Sequence, residues 1–321
     1  MMLDGLRRTW QKAFIWTGQN ERLRKTFQSS SKVADLIQRY VGGPTTSGGV
    51  SRGAGLNHGG FRCSMFYLGE YVKHEQKVSH IVDSILKMIP LMVSADLDVH
   101  ISVDPTAIGY LQSPSSCKAN AFRIAQAIDS QKKDSEGFHC LMLDMEDESL
   151  VDYTISLHDE LRGAGLPTAL TLQAYLLRTQ EDLRRQIERG GAVRLVKGAF
   201  AAERSIAFQG QTEITRHYLA LVQIMLKGAI RSSEFYPIFA THNADLQEEI
   251  ATLAQAQHLA LHRYEFEMLF GVQPELAARL SSRGFRVRIY VPCGSDWWGY
   301  VNRRIGESPR NALLALRAIF S

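Results

Sequence analysis

Eight short apolar runs, each followed or preceded by a stretch of helical periodicity, limit what this chain can fold into. The runs are Phe61–Leu68, Val99–Val103, Phe138–Leu143, Ala169–Tyr175, Ala192–Val196, Tyr236–Ala240, Tyr264–Leu269 and Phe285–Val291. Their lengths suit strands, and their unbroken apolar character marks strands covered on both faces, as in a parallel sheet. Helical spacing of apolar residues occupies Val72–Met92, Lys118–Ser130, Ser149–Gly163, Gln180–Gly190, Thr212–Lys227, Ala244–Gln257 and Pro274–Arg283. Gly163, Gly165 and Pro167 separate one helix from the next strand, and Gly190–Gly191 separates another. Strand–helix alternation repeated in this way predicts an α/β protein, a TIM-like (β/α)8 barrel over residues 61–321. A doubly wound open sheet is the competing arrangement. It would carry a glycine fingerprint after its first strand, and none follows Phe61–Leu68.

The remaining 1–60 predict an N-terminal helical arm and a glycine-rich loop. The arm, Leu3 to Phe27, mixes Arg7, Arg8, Lys12, Arg22, Arg24 and Lys25 with Trp10, Phe14, Ile15 and Trp16. It reads as a helix packed on the barrel, with a surface-seeking amphipathic helix as the alternative. Gly42–Gly60 holds eight glycines and reads as a flexible linker rather than a lid or a phosphate-cradling loop.

The net charge of +4 is spread along 321 residues with no basic block, which argues against a nucleic-acid partner. No run approaches the roughly 20 apolar residues of a membrane span. Contact with a membrane would therefore be peripheral, at the inner membrane surface. Cys63, Cys117, Cys140 and Cys293 show no paired spacing, so neither a zinc site nor a disulfide framework is expected. A reduced, cytoplasmic setting follows.

In barrels of this type the chemistry lies where the strands end. The residues closing the apolar runs are Glu70, Asp104, Asp144, Glu146, Asp147, Gln173, Arg194, Lys197, Thr241, His242, Asn243, Glu265, Glu267 and Tyr290. Nearly every strand thus delivers a polar group to one rim, the expected active site. Arg194 and Lys197, followed by Gly198, suit a pyrophosphate or a flavin ring that gains negative charge on reduction, or else form ion pairs within the barrel. Thr241, His242 and Asn243 offer three consecutive hydrogen-bonding side chains. A helix from about Asp296 would put Tyr300, Arg303 and Arg304 on one face, a bidentate clamp for a carboxylate or a solvated basic face. Trp297 and Trp298 would roof an apolar substrate or simply pack.

Taken together, Leu68–Glu70 (LGE), Leu143–Asp147 (LDMED), Leu172–Leu176 (LQAYL), Arg194–Phe200 (RLVKGAF), Ala240–Asn243 (ATHN), Glu265–Gly271 (EFEMLFG) and Arg288–Arg304 (RIYVPCGSDWWGYVNRR) resemble the proline dehydrogenase family in order and spacing. The likeness runs from about Phe61 to Asn311 and is greatest to the short, stand-alone bacterial members. It implies a distorted barrel holding FAD non-covalently. It also implies oxidation of proline, in amino-acid catabolism, to a pyrroline-type imine by hydride transfer from the carbon beside nitrogen, with electrons passed to a quinone. By the same resemblance, Arg303, Arg304 and Tyr290 would hold the substrate carboxylate and Tyr300 would line the pocket. Gln173, Arg194, Lys197, Gly198, Thr241 and His242 would contact FAD, with Phe200 and Asn243 beside them, and Asp144 would sit under the ring system.

Three positions depart from the family pattern. Asp104, in ISVDPT, stands where the family usually has lysine, and Glu267 stands where it usually has glutamine; Phe200 replaces a usual tyrosine. Together the first two make the site as much as three charges more negative, which should alter substrate choice or flavin potential. Asp104 or Glu267 would accept the substrate's ammonium proton or bind an extra polar group on it. The alternatives are a flavoenzyme acting on a modified or N-substituted imino acid, and a barrel that binds a ligand without redox turnover.

Overall fold

A computed structural model describes residues 38–131 and 137–301. Eight parallel strands close into a barrel in sequence order: β1 Arg62–Tyr67, β2 His100–Val103, β3 Cys140–Leu143, β4 Thr168–Gln173, β5 Gly191–Val196, β6 Phe235–Ala240, β7 Glu265–Leu269 and β8 Val287–Cys293. All eight apolar runs are strands, and the expected barrel is the observed fold. The helices are α1 Thr46–His58, α2 Glu75–Ser94, α3 Pro114–Gln131, α4 Val151–Gly163, α5 Thr179–Arg189, α6 Gln211–Arg231, α7 Ala244–Ala256 and α8 Pro274–Ser282. Their apolar stripes, such as Ile81, Ile85, Met88 and Met92 on α2, are buried against the outward-facing strand residues Val99, Ile101 and Val103 in one continuous core.

The glycine-rich segment is not a linker: residues 46–58 form α1. Thr45 caps it, its hydroxyl accepting from Gly48 N at 3.1 Å. Each helical glycine costs up to about 1 kcal/mol against alanine, and here close packing offsets that cost. A Cβ on Gly49 would lie 2.6 Å from Cys293 Cβ on β8, and one on Gly53 would lie 3.1 Å from Leu97 Cδ1. Gly49 and Gly53 are therefore the contact face of a helix laid flat against the β8–β1 seam, where Met65 and Cys293 meet it. Composition predicts a loop because it counts glycine's conformational freedom; it does not register how closely glycine lets a helix approach a sheet.

With α1 on that seam, the chain after β8 crosses the mouth instead. A helical turn begins at Trp298, and Trp297, Trp298, Tyr300 and Val301 pack with Tyr40, Val41, Phe66, Leu68 and Tyr290 in a second apolar cluster. The tryptophans thus pack among aromatic and aliphatic neighbours at the mouth. The arm from Leu3 to Phe27, and Arg303 and Arg304, lie outside the described residues. Among the described residues no helix is long and apolar enough to cross a membrane.

Candidate active site

Alternate strand residues point into the barrel, and this lumen is polar where the outer face is apolar. Two ion networks are stacked within it. Near the strand starts, Arg288 donates from Nε to Glu265 Oε1 at 2.6 Å, from Nη2 to Glu265 Oε2 at 3.1 Å and to Asp98 Oδ2 at 2.9 Å, and from Nη1 to Cys63 O at 2.7 Å. Glu265, expected at the rim, is therefore at the opposite end. It opens β7, and a strand's first residue cannot reach the mouth. The Glu265 and Asp98 carboxylates hold the Arg288 guanidinium charged against the opposing effect of burial.

The upper network lies toward the strand ends and contains most of the predicted site. Arg194 on β5 pairs through Nη2 with Asp144 Oδ1, just past β3, and through Nη1 with Glu267 Oε2 on β7 at 3.2 Å. It also donates to Thr171 Oγ1 from Nε at 3.1 Å and to Ser102 Oγ from Nη1 at 3.3 Å. Tyr290 on β8 donates its hydroxyl to Asp144 Oδ2 at 2.8 Å, and the Arg194 guanidinium lies 5.5 Å from its ring centre. Burial and the nearby Asp104 charge push the Tyr290 phenol far up, so it stays protonated and remains a donor. Ser64 on β1 donates to Glu267 Oε1 at 2.6 Å. Residues from six strands or strand ends are thus joined around one guanidinium. Glu267 is the second carboxylate on Arg194, a compensation that no linear spacing announces.

Asp104 follows β2 at the mouth and is buried, and Tyr300 is buried in the apolar cluster that contains Tyr290. Lys197 is not beside Arg194: its Nζ lies 3.3 Å from Thr215 Oγ1 on α6. Gly198 has φ +98, and a Cβ there would lie 2.1 Å from Tyr175 Cδ1, so its bare side receives the tyrosine ring. Phe200 is half-buried in the loop after β5. After β6, Thr241 Oγ1 accepts from Asn243 N at 3.2 Å. His242 Nε2 accepts from Leu269 N at 2.9 Å, which puts the proton of the neutral ring on Nδ1. Asn243 caps α7, its side-chain oxygen accepting from Leu246 N at 3.0 Å, which takes up the oxygen expected to face a cofactor.

His100 and Thr106 escaped the sequence reading, which did place Glu146 and Gln173 at the rim. His100 stands in the lumen between the two networks, its ring edge-on to Phe138 and both ring nitrogens buried with no hydrogen-bond partner among the described residues. Burial and the flanking Arg288 and Arg194 keep its ring neutral. Glu146 is the hub of the rim loops: it accepts from Thr106 N at 2.9 Å and Thr106 Oγ1 at 2.5 Å, while Tyr71 N donates to the same hydroxyl at 2.9 Å. Its backbone oxygen and that of Met145 accept from Gln173 Nε2 at 2.8 and 2.7 Å. That amide orientation leaves Gln173 Oε1 buried without a partner at the end of β4.

Burial pushes the Glu146 carboxyl up to about 7, with Thr106 opposing the shift and Glu70 and Asp147 adding to it. An acid whose folded pKa is raised favours the folded state below its unfolded value, and this stability is lost as pH rises through the folded one. The melting temperature of the protein should therefore fall between about pH 5 and pH 8, and Glu146→Gln should flatten that fall. Parallel melting curves for the two proteins would show that Glu146 does not titrate in this range.

Two hollows lie elsewhere. One of about 250 Å³ opens at the strand starts beside Phe138, Cys140, Thr168 and Tyr236, and another of about 610 Å³ runs along α1 beside Ser51, Arg52, Leu56 and Phe270. Neither touches Asp144, Arg194 or Tyr290, and convergent polar chemistry locates the site better than empty volume does. An orphaned amide oxygen at a strand end, a paired guanidinium, two hydrogen-bonding residues after β6 and an aromatic cluster at the mouth fit the polar edge and flat face of a flavin.

The family profile described as Proline dehydrogenase matches residues 50–312. The chain belongs to the proline dehydrogenase family. It is 30% identical over 306 residues to proline dehydrogenase 1 of Bacillus subtilis subsp. natto, covering 95% of this chain and 97% of that protein. It is 27% identical over 320 residues to the proline dehydrogenase of Deinococcus radiodurans, covering 99% of each. Among solved structures, proline utilization A from Bdellovibrio bacteriovorus inactivated by N-propargylglycine superposes with a TM-score of 0.76 at 17% identity. That overlay covers 96% of this chain and 40% of the larger protein, and it supports the barrel alone.

Proposed function

We propose that this protein oxidises L-proline, or a closely similar cyclic amino acid, to a pyrroline-type imine with FAD bound at the mouth of the barrel. The observation that carries the reading is the convergence of Asp144, Arg194, Glu267 and Tyr290 on one hydrogen-bonded network at the strand ends. When bound, FAD supplies the hydride acceptor, and the redox chemistry is the cofactor's own. Gln173, Arg194, Thr241 and His242 would hold it, with Lys197, Gly198, Phe200 and Asn243 framing the loops around it.

The protein's part is to bind, orient and exclude water. Arg303 and Arg304 take the substrate carboxylate. Tyr290, its hydroxyl fixed on Asp144, and Tyr300 shape the pocket for the ring. Hydride departure from the carbon beside nitrogen requires a neutral amine, so one side chain must accept the ammonium proton. We assign that role to Asp104, which follows β2 at the mouth and whose charge acts on Tyr290. The electrons then pass to a quinone or another acceptor, with any membrane contact peripheral.

The test is turnover of L-proline by FAD-loaded protein with a dye as electron acceptor, the imine being trapped chemically. Turnover is expected, and Arg303→Met or Arg304→Met should raise KM for proline by about 10²-fold, the loss of a charge-assisted contact. A flavin-loaded protein that does not turn proline over would overturn the reading.

A further inference from the structure

We propose that Glu267 sets the electron affinity of the bound cofactor, keeping its midpoint potential low by placing an extra negative charge on the Arg194 network. The inference rests on the flavin reading above and concerns this chain's own side chains. Arg194 carries two carboxylates, Asp144 and Glu267. The three charges sum to −1 where one carboxylate would leave zero.

Hydrogen bonding alone does not require that second charge. Glu267 has two partners, Ser64 Oγ at 2.6 Å and Arg194 Nη1 at 3.2 Å. A glutamine amide would satisfy both, its oxygen accepting from the guanidinium and its nitrogen donating to the hydroxyl. What the carboxylate adds is charge, held rigidly and 3% exposed, where the local dielectric screens it little. Two-electron reduction adds negative charge to a flavin. A net-negative network beneath the mouth opposes that charge, whereas a neutral or positive one favours it. The consequence for function is a cofactor that is harder to reduce and, once reduced, able to serve an acceptor of lower potential.

The deciding experiment is anaerobic equilibration of FAD-loaded wild-type protein, Glu267→Gln and Glu267→Asp with a reference redox dye. Glu267→Gln should shift the reduced-to-oxidised ratio at least about tenfold toward reduced, a midpoint about 30 mV more positive for a two-electron couple. Glu267→Asp keeps the charge and should stay within a few millivolts of wild type. Equal midpoints for wild type and Glu267→Gln would overturn the proposal. It would also fall if Glu267→Gln folds but does not bind FAD while Glu267→Asp does, since that assigns Glu267 to building the site. A wild-type protein that takes up no FAD, or takes it up and leaves proline untouched, would count against the proposed function instead. In the second of those cases the midpoints still decide the role of Glu267.

Discussion

Replacement of Arg288 by methionine should destabilise the protein by about 3–5 kcal/mol, the range for breaking a buried ion network by removing one partner. Arg288 is 1% exposed and ties β8 to Glu265 on β7, to Asp98 before β2 and to the Cys63 carbonyl on β1. Its removal leaves two buried carboxylates without their shared cation, with Arg62 3.6 Å from Asp98 and the Phe138 N–H and Tyr236 hydroxyl still beside them. The network also sits across the seam where β8 meets β1, so its loss weakens barrel closure as well as local charge balance. Urea unfolding followed by circular dichroism measures the effect directly. Replacing Arg288 and Glu265 together by apolar residues of similar volume should recover much of the loss, because the cost comes from the unpaired charge more than from the missing attraction. A midpoint for Arg288→Met close to wild type would show that the lower network does not stabilise closure.

The second large effect is expected at Arg194. Arg194→Gln should lower kcat for proline on the order of 10²–10³-fold, the range for losing a preorganised electrostatic contact at a reacting centre. It should also weaken FAD binding. The substitution frees Asp144 and Glu267 from their shared cation and removes the donor that orders Thr171 and Ser102. Tyr290 still reaches Asp144, but that carboxylate is no longer fixed on its other side. Lys197→Gln supplies the contrast. Lys197, on the other side of the strand end from Arg194, has its ammonium 3.3 Å from Thr215 Oγ1 on α6, and a change of less than tenfold is expected. Equal losses at the two positions would contradict the separation of roles drawn here.

That contrast shows what the linear sequence can and cannot convey. Apolar period and punctuation are local properties, and they located all eight strands; Gln173 closes β4 and Asp144 follows β3, whereas Arg194, Glu267 and Tyr290, expected to close their strands, lie inside β5, β7 and β8. Direction across a strand was legible for the cationic pair, whereas height along it was not for the acids of β7. Lys197 lies three residues past Arg194, so alternation sends it to the other face of the strand end. Glu265, two residues before Glu267 on the same inward face, belongs to the lower network because it opens the strand rather than closing it.

Compensation between distant residues was not legible at all. Asp104 and Glu267 stand in the sequence as unexplained acidic substitutions, whereas the fold brings Glu267 to a guanidinium 73 residues away. Glu146 and Thr106, from two separate loops, likewise declare their partnership only in three dimensions. The glycines of α1 misled in the opposite sense, because their composition signals a loop while their spacing makes a flat contact face. Asn243 was readable in principle: an asparagine just ahead of Ala-Asp-Leu-Gln is a helix cap before it is a ligand.

The claim beneath all of this is that side chains from separate strands meet at one mouth to bring a proline-like ring to a flavin. Its most direct test is the visible spectrum of FAD-loaded protein, without oxygen, as L-proline is added. The oxidised flavin absorption should bleach in a saturable manner, and bleaching should require far higher proline when Arg304 is replaced. A spectrum unchanged at saturating proline, in protein that carries its flavin, would contradict the account.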